Sequence, residues 1–173
     1  MPFDFAFRSV QTAEEVRQTV DFLARQDLQY PHYDEWVQKA ESELHSGYKR
    51  AGLAYSNGIL VGDIVWQLHK ELPRVREMKN LRINPQARGR YLAQFLIRQA
   101  EVEDKRDCDA MIVDARETQH DLIELMGCMG YSILSKLNLY EEDRRDVVLF
   151  KSFDKSMQDK LIVSVRESLR PFH

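Results

Sequence analysis

The stretch Gln86-Ala87-Arg88-Gly89-Arg90-Tyr91 holds residue types that suit a phosphate group. Gly89 adds no side chain where an anion has to approach the backbone closely. Arg88 and Arg90 flank it with positive charge. The residues that follow, from Leu92 to Glu101, read as a helix, and a helix turns its free N–H groups and the positive end of its dipole toward its own start. Together these make an anion cradle. The GxGxxG glycine pattern of a dinucleotide site is absent, which argues against that use of the cradle.

The elements around this corner have to hold it in place. A strand is expected to begin near Val75, after Pro73, and to end at Pro85; alternation puts Val75, Glu77, Lys79, Leu81 and Ile83 on one face. In the following helix Leu92, Phe95, Leu96 and Ala100 recur at core spacing, and charge dominates from Glu101 to Asp109. Ala110-Met111-Ile112-Val113-Asp114-Ala115 then reads as a strand buried on both faces. Strand, helix and buried strand form a right-handed βαβ unit, and its turn lies at the carboxyl end of the first strand, where open α/β sheets bind ligands.

Phe3, Phe5 and Phe7 alternate with Asp4, Ala6 and Arg8 as a first strand. Thr12 and Glu15 have capping-box spacing, and Val16, Val20, Phe22 and Leu23 form the stripe of a helix ending near Gln26. A second helix is expected from Tyr33 to His45, stopped by Gly47. The aromatic and acidic residues at its start either line a pocket for a cationic substrate or serve structure, with Trp36 in the core and Asp34 at the helix N-terminus. Leu53-Ala54-Tyr55 and Ile59 to Trp66 flank Asn57-Gly58, the signature of a type I′ hairpin. A shorter helix over Gln119 to Met129 is closed by Gly130, and strands follow at Tyr131 to Tyr140 and Val147 to Phe153, with charged residues 141–146 as a solvated turn. The last amphipathic segment carries Met157, Leu161, Ile162, Val165 and Leu169 on one side; it either docks on the core or makes a dimer contact.

At 173 residues the chain is expected to form a single domain. A hydrophobic content of 43% against 31% charged residues marks a globular protein and argues against disorder. The net charge of -3 argues against a nucleic-acid partner. No apolar run is long enough for a membrane span, and the N-terminus lacks the order of a signal peptide, so a cytoplasmic location is expected. Cys108 and Cys128 have no metal-ligand spacing; they read as free thiols, Cys128 partly buried, and no metal is expected.

The element order and the turn together resemble the GNAT superfamily of acyl-CoA-dependent N-acetyltransferases, whose hallmark is Q/R-x-x-G-x-G/A between the fourth strand and third helix. Gln86 to Tyr91 occupy that place, and Leu125-Met126-Gly127-Cys128-Met129-Gly130-Tyr131 is a weaker echo of a later motif. The resemblance covers about residues 5–153 and leaves a C-terminal helix, about 155–169, outside it. It implies an α/β (α+β) fold: a mixed, mostly antiparallel twisted sheet of about seven strands flanked by helices, with a central βαβ unit. It also implies acetyl-CoA, or coenzyme A, as co-substrate. The backbone of Leu81 and Ile83 would pair with the pantetheine arm, the backbone amides of Arg88, Gly89, Arg90, Tyr91, Leu92 and Ala93 would hold the pyrophosphate, and Gln86 would also bind the cofactor.

The reaction so implied transfers an acetyl group to a primary amine of a small molecule or a protein. It needs a base, an oxyanion donor and an acid. Glu77 is the candidate base and the Leu81 backbone N–H the oxyanion donor. The acid departs from the family: the residue aligned with its usual tyrosine is Met126, which has no proton to give. Cys128, Tyr140 and water are the substitutes, while Tyr131 falls in the slot the family usually fills with a buried phenylalanine. Tyr91 replaces the usual Gly or Ala and either crowds the turn or packs outward. These departures motivate an alternative, a catalytically weak or inactive GNAT-like acyl-CoA-binding or regulatory protein, dimeric through its tail. A GNAT-type toxin acting on charged transfer RNA is disfavoured by the overall acidity.

Overall fold

The computed structural model describes residues 4–25, 30–103 and 108–171. Among them lie strands β1 (Phe5–Ser9), β2 (Lys49–Ser56), β3 (Ile59–Leu68), β4 (Val75–Ile83), β5 (Ala110–Arg116), β6 (Ser132–Glu141) and β7 (Arg144–Ser152). The helices are α1 (Ala13–Ala24), α2 (Tyr33–His45), α3 (Leu92–Val102), α4 (His120–Cys128) and α5 (Gln158–Ser168). The strands form one seven-stranded sheet in the order β1-β2-β3-β4-β5-β7-β6. Four of its pairings, β1–β2, β2–β3, β5–β7 and β6–β7, are antiparallel, and β4 and β5 run parallel from Val75↔Ala110 to Met78↔Val113. The expected mixed sheet with its central βαβ unit is thus present. Phe3 and Gln26 lie outside the described residues, as does part of the charged run after Glu101.

The chain divides into two compact units, Met1–Gln67 with Lys79–Glu103, and Leu68–Met78 with Asp104–His173. In the first, the Thr12 hydroxyl accepts from Glu15 N at 3.2 Å while Glu15 Oε2 accepts from Thr12 N at 3.0 Å, so two donors at the start of α1 are satisfied reciprocally. The Gln11 N–H, also bonded to that carboxylate, leads the causes that hold Glu15 below the usual carboxylate range. Val16 and Leu23 of α1 pack with Tyr33, Val37 and Leu44 of α2 over Ala51 and Val65, and Trp36 lies partly buried against them. On the opposite face of β3, a Cβ at Gly62 would stand 2.5 Å from Ile83 Cδ1, 2.9 Å from the Arg82 carbonyl oxygen and 3.5 Å from Leu96 Cδ1. Only glycine lets β4 lie this close. Asn57 and Gly58, at φ 50° and 78°, make the left-handed pair that closes the β2–β3 hairpin. Phe95 departs from expectation: it is 57% exposed, with Phe7 at 5.2 Å between ring centroids, and Ile97 takes the core position.

In the second unit, Val75, Ala110, Ile112, Val148, Phe150 and Leu134 form a core on which Val165, Leu161, Ile162 and Leu169 of α5 and its end pack. The tail helix therefore docks on its own unit.

Two expectations need correction here. Residues 141–146 are a solvated turn only in part: Glu142 and Asp143 turn between the strands and are exposed with Arg144 and Arg145, whereas Glu141 pairs opposite Arg144 and Asp146 pairs opposite Leu137 within the sheet. Asp146 is buried; Leu139 N donates to its Oδ2 at 3.0 Å, and Arg116 Nη1 lies 3.4 Å from Oδ1. Burial raises its pKa, with the amide and the guanidinium acting against the rise. The second correction concerns the thiols, since Cys108 is the buried one and Cys128 is exposed. Cys128 occupies the last residue of α4, where the following Gly130 at φ 88° turns the chain away from the helix.

Candidate active site

The cradle is assembled within the first unit at the end of β4. Asn84 N donates to Val61 O at 2.7 Å, tying the strand end to β3, and Asn84 Oδ1 accepts from Gln86 N at 3.0 Å. That bond starts a short 3-10 turn, Pro85–Ala87, whose proline supplies a preset φ and whose Ala87 is buried. Arg88 Nε then donates to Ile83 O at 3.3 Å, folding its side chain back on the strand. Gly89 and Tyr91 both take left-handed backbone, at φ 73° and 61°, and the two reversals aim the chain into α3.

Gly89 is needed for its backbone conformation, since nothing lies within 4 Å of where its Cβ would be. Tyr91 is the N-cap of α3 and is 71% exposed, so its ring points outward and does not crowd the turn. No side chain caps α3 and no acidic residue sits in its first turn. The positive end of this helix is thus not neutralised by a carboxylate in its own first turn.

The structure brings Leu81, Ile83, Gln86, Arg88, Gly89, Arg90, Tyr91, Leu92 and Ala93 together in this one corner. Leu81, Ile83, Arg90 and Ala93 are half-buried, Leu92 is buried, and Gln86, Arg88, Gly89 and Tyr91 are exposed.

On the other face of β4, Asn80 Nδ2 donates to Asp63 Oδ2 at 2.7 Å. Asp63 shares a face of β3 with Val65, the face that α1 and α2 cover. Its exposure is 0%, and burial pushes its carboxyl up to about 7 against the opposing effects of the Asn80 amide and the Arg82 charge. Asp63 Oδ1 and Asn80 Oδ1 are both buried acceptors without a hydrogen bond. Sequence reasoning missed this pair. The signal was there: Asp63 is the lone charge in the apolar run from Ile59 to Trp66.

Glu77 belongs to the second unit and is neither exposed nor fully buried. Its Oε1 lies 3.6 Å from His69 Nε2. His69 Nδ1 accepts from the backbone N–H groups of Glu71 and Leu72 at 3.1 and 3.2 Å, and its Nε2 lies 3.3 Å from Ser168 Oγ. No sequence signal linked His69 to Ser168, which come from opposite ends of the unit.

The remaining candidates differ in burial and hydrogen bonding. Met126 is fully buried, and Tyr131, also buried, has its hydroxyl 3.1 Å from Met111 Sδ. Tyr140 donates to Asp114 Oδ2 at 2.8 Å. Among the described residues no cluster of His, Cys, Asp or Glu could hold a metal ion, and no helix is long and apolar enough to cross a membrane.

Solved structures define what the chain is similar to. A GNAT-family acetyltransferase from Streptococcus pneumoniae aligns over 87% of this chain and 100% of its own, at TM-score 0.70 and 12% identity. The ribosomal-protein-S18-alanine N-acetyltransferase from Escherichia coli aligns over 87% and 95%, at 0.70 and 13%. A chain of the NatC complex, solved with a Gag peptide and CoA, aligns over 87% and 99%, at 0.73 and 16%. The fold is the GNAT fold. At these identities the likeness is one of fold alone. No protein-family model matches the sequence, and no curated protein matches it.

Proposed function

We propose that the protein is an acetyl-CoA-dependent N-acetyltransferase acting on a primary amine of a small molecule or a protein. One observation carries the reading: the uncapped start of α3, entered through left-handed Gly89 and Tyr91 beside Arg88, at the end of β4 in a GNAT fold. A CoA pyrophosphate fits such a cradle, because backbone N–H groups and the helix dipole favour an anion there. The NatC chain of the same fold was solved with CoA.

In this reading the backbone N–H groups from Arg88 to Ala93 hold the pyrophosphate, and Leu81 and Ile83 offer backbone to the pantetheine arm as an added strand would. The bound thioester supplies an activated acetyl carbonyl. Glu77 takes a proton from the incoming ammonium, directly or through a water, and the Leu81 N–H stabilises the negative charge that develops on the carbonyl oxygen. Met126 and Tyr131 do not serve as the acid, one lacking a proton to give and the other held in the core. Solvent water or Tyr140 protonates the thiolate.

A second reading, a GNAT-like protein that binds acyl-CoA without turnover, is favoured by that same burial of Met126 and Tyr131. Thermal shift with acetyl-CoA against free coenzyme A, followed by thiol release over a broad amine panel, tests both. Binding with thiol release supports the enzyme, binding without release supports the second reading, and no binding of either ligand by calorimetry removes both.

A further inference from the structure

The tail helix lies outside the part of the sequence that resembles the family, yet it reaches the histidine beside the candidate base. Ser168, the last residue of α5, donates its hydroxyl proton to Val165 O at 2.8 Å. Its oxygen is then an acceptor, 3.3 Å from His69 Nε2. On the far side of the ring, Nδ1 accepts two backbone N–H groups, from Glu71 and Leu72. A proton on Nδ1 would break both bonds in a side chain that is only 9% exposed. The ring is therefore held as the neutral Nε2–H tautomer, with that N–H beside Glu77 Oε1 at 3.6 Å as well as Ser168 Oγ. At 3.6 Å the contact is electrostatic and not a hydrogen bond.

We propose that His69, its tautomer set by the backbone at Glu71 and Leu72, is a positioning residue for Glu77, and that α5 holds its ring orientation through Ser168. The backbone at Glu71 and Leu72 fixes one edge of the imidazole and Ser168 the other, so the N–H dipole facing Glu77 has one direction only. Such a dipole orients a carboxylate toward the group it is to accept a proton from. The assignment rests on Glu77 being the base of the proposed acetyl transfer.

The test uses the full chain in two measurements. Nitrogen-15 shifts of the His69 ring are expected to show a protonated Nε2 and an unprotonated Nδ1 in the parent protein and in Ser168→Thr. A protonated Nδ1 in the parent overturns the inference without any assay of activity. In steady-state kinetics with an amine identified by thiol release, Glu77→Gln is expected to lower kcat about a hundredfold or more. Ser168→Ala is expected to lower kcat by roughly tenfold, the scale on which partners that orient a reacting side chain act, with KM values changed by less than about twofold. Ser168→Thr, which keeps the hydroxyl, is expected to restore kcat, and it separates this role from a loss of helix stability. If Glu77→Gln lowers kcat while Ser168→Ala leaves both kcat and ring shifts unchanged, this inference alone fails. If Glu77→Gln leaves kcat intact, the base assignment and the inference fail together.

Discussion

Asn80 Nδ2 lies 2.7 Å from Asp63 Oδ2 in the middle of β3 and β4, and each residue keeps one further buried acceptor with no donor facing it. Two acceptors and a shortage of donors favour a proton on the carboxyl, and burial moves the pKa of Asp63 in the same direction, to about 7.

The native-state pKa of Asp63 stands above its unfolded value of 3.8, so protonated Asp63 favours the fold. That contribution is complete below about pH 4 and is lost as the pH rises through about 7. At about 1.4 kcal/mol per pKa unit the change amounts to a few kcal/mol. Asp63→Asn supplies the missing donor at every pH. Urea denaturation between pH 4 and pH 8 is expected to show stability falling in the parent and a markedly flatter profile in the variant.

The two left-handed residues of the cradle make opposite predictions. Gly89→Ala is expected to cost about 1 kcal/mol, because the methyl meets open space and only the backbone conformation is penalised. Tyr91→Gly relieves an unfavourable φ of 61° and is expected to leave stability equal or up to about 1 kcal/mol higher. Since its ring points outward, acetyl-CoA affinity in Tyr91→Gly is expected to stay within about threefold of the parent by calorimetry.

Arg88 is exposed and joined to Ile83 O through Nε, which holds its charge near the turn. Arg88→Ala is expected to weaken coenzyme A binding by about two- to fivefold, the range of an exposed ionic contact. The loss should shrink as salt is raised from 50 mM to 500 mM, since the missing term is screened. A loss independent of salt would instead mean a packing defect.

Met126 is fully buried in the core of the second unit. Met126→Ala is expected to destabilise by roughly 2–5 kcal/mol, and Met126→Leu by less than about 1.5 kcal/mol with turnover kept. Chemical denaturation together with thiol release separates the two effects.

Local signals carried much of this structure. Thr12 with Glu15, Gly47 after His45 and Pro85 after Ile83 each fix a boundary through the few residues next to it, and α2 and β4 lie where those residues put them. The nine cradle residues likewise come from one contiguous run. What escaped the sequence depends on partners far along the chain. Asp146 reads as a turn residue until Arg116 of β5 is beside it, because a local window of charge cannot show a buried counter-ion. His69 gains meaning only from Ser168, and Asp63 only from Asn80. Phe95 keeps helical core spacing, yet its face of α3 is met by Phe7 at the edge strand and remains open.

Gly62 contributes no functional group, yet it acts as a spacer of zero thickness under the last residues of β4. A methyl at residue 62 would lie 2.9 Å from the Arg82 carbonyl, a backbone atom that cannot swing aside as a side-chain end can. Room for it comes only from moving Arg82 and Ile83, and with them the turn that starts at Asn84. The geometry of the corner is therefore exposed to mutation at a residue of β3 that lies outside the turn itself.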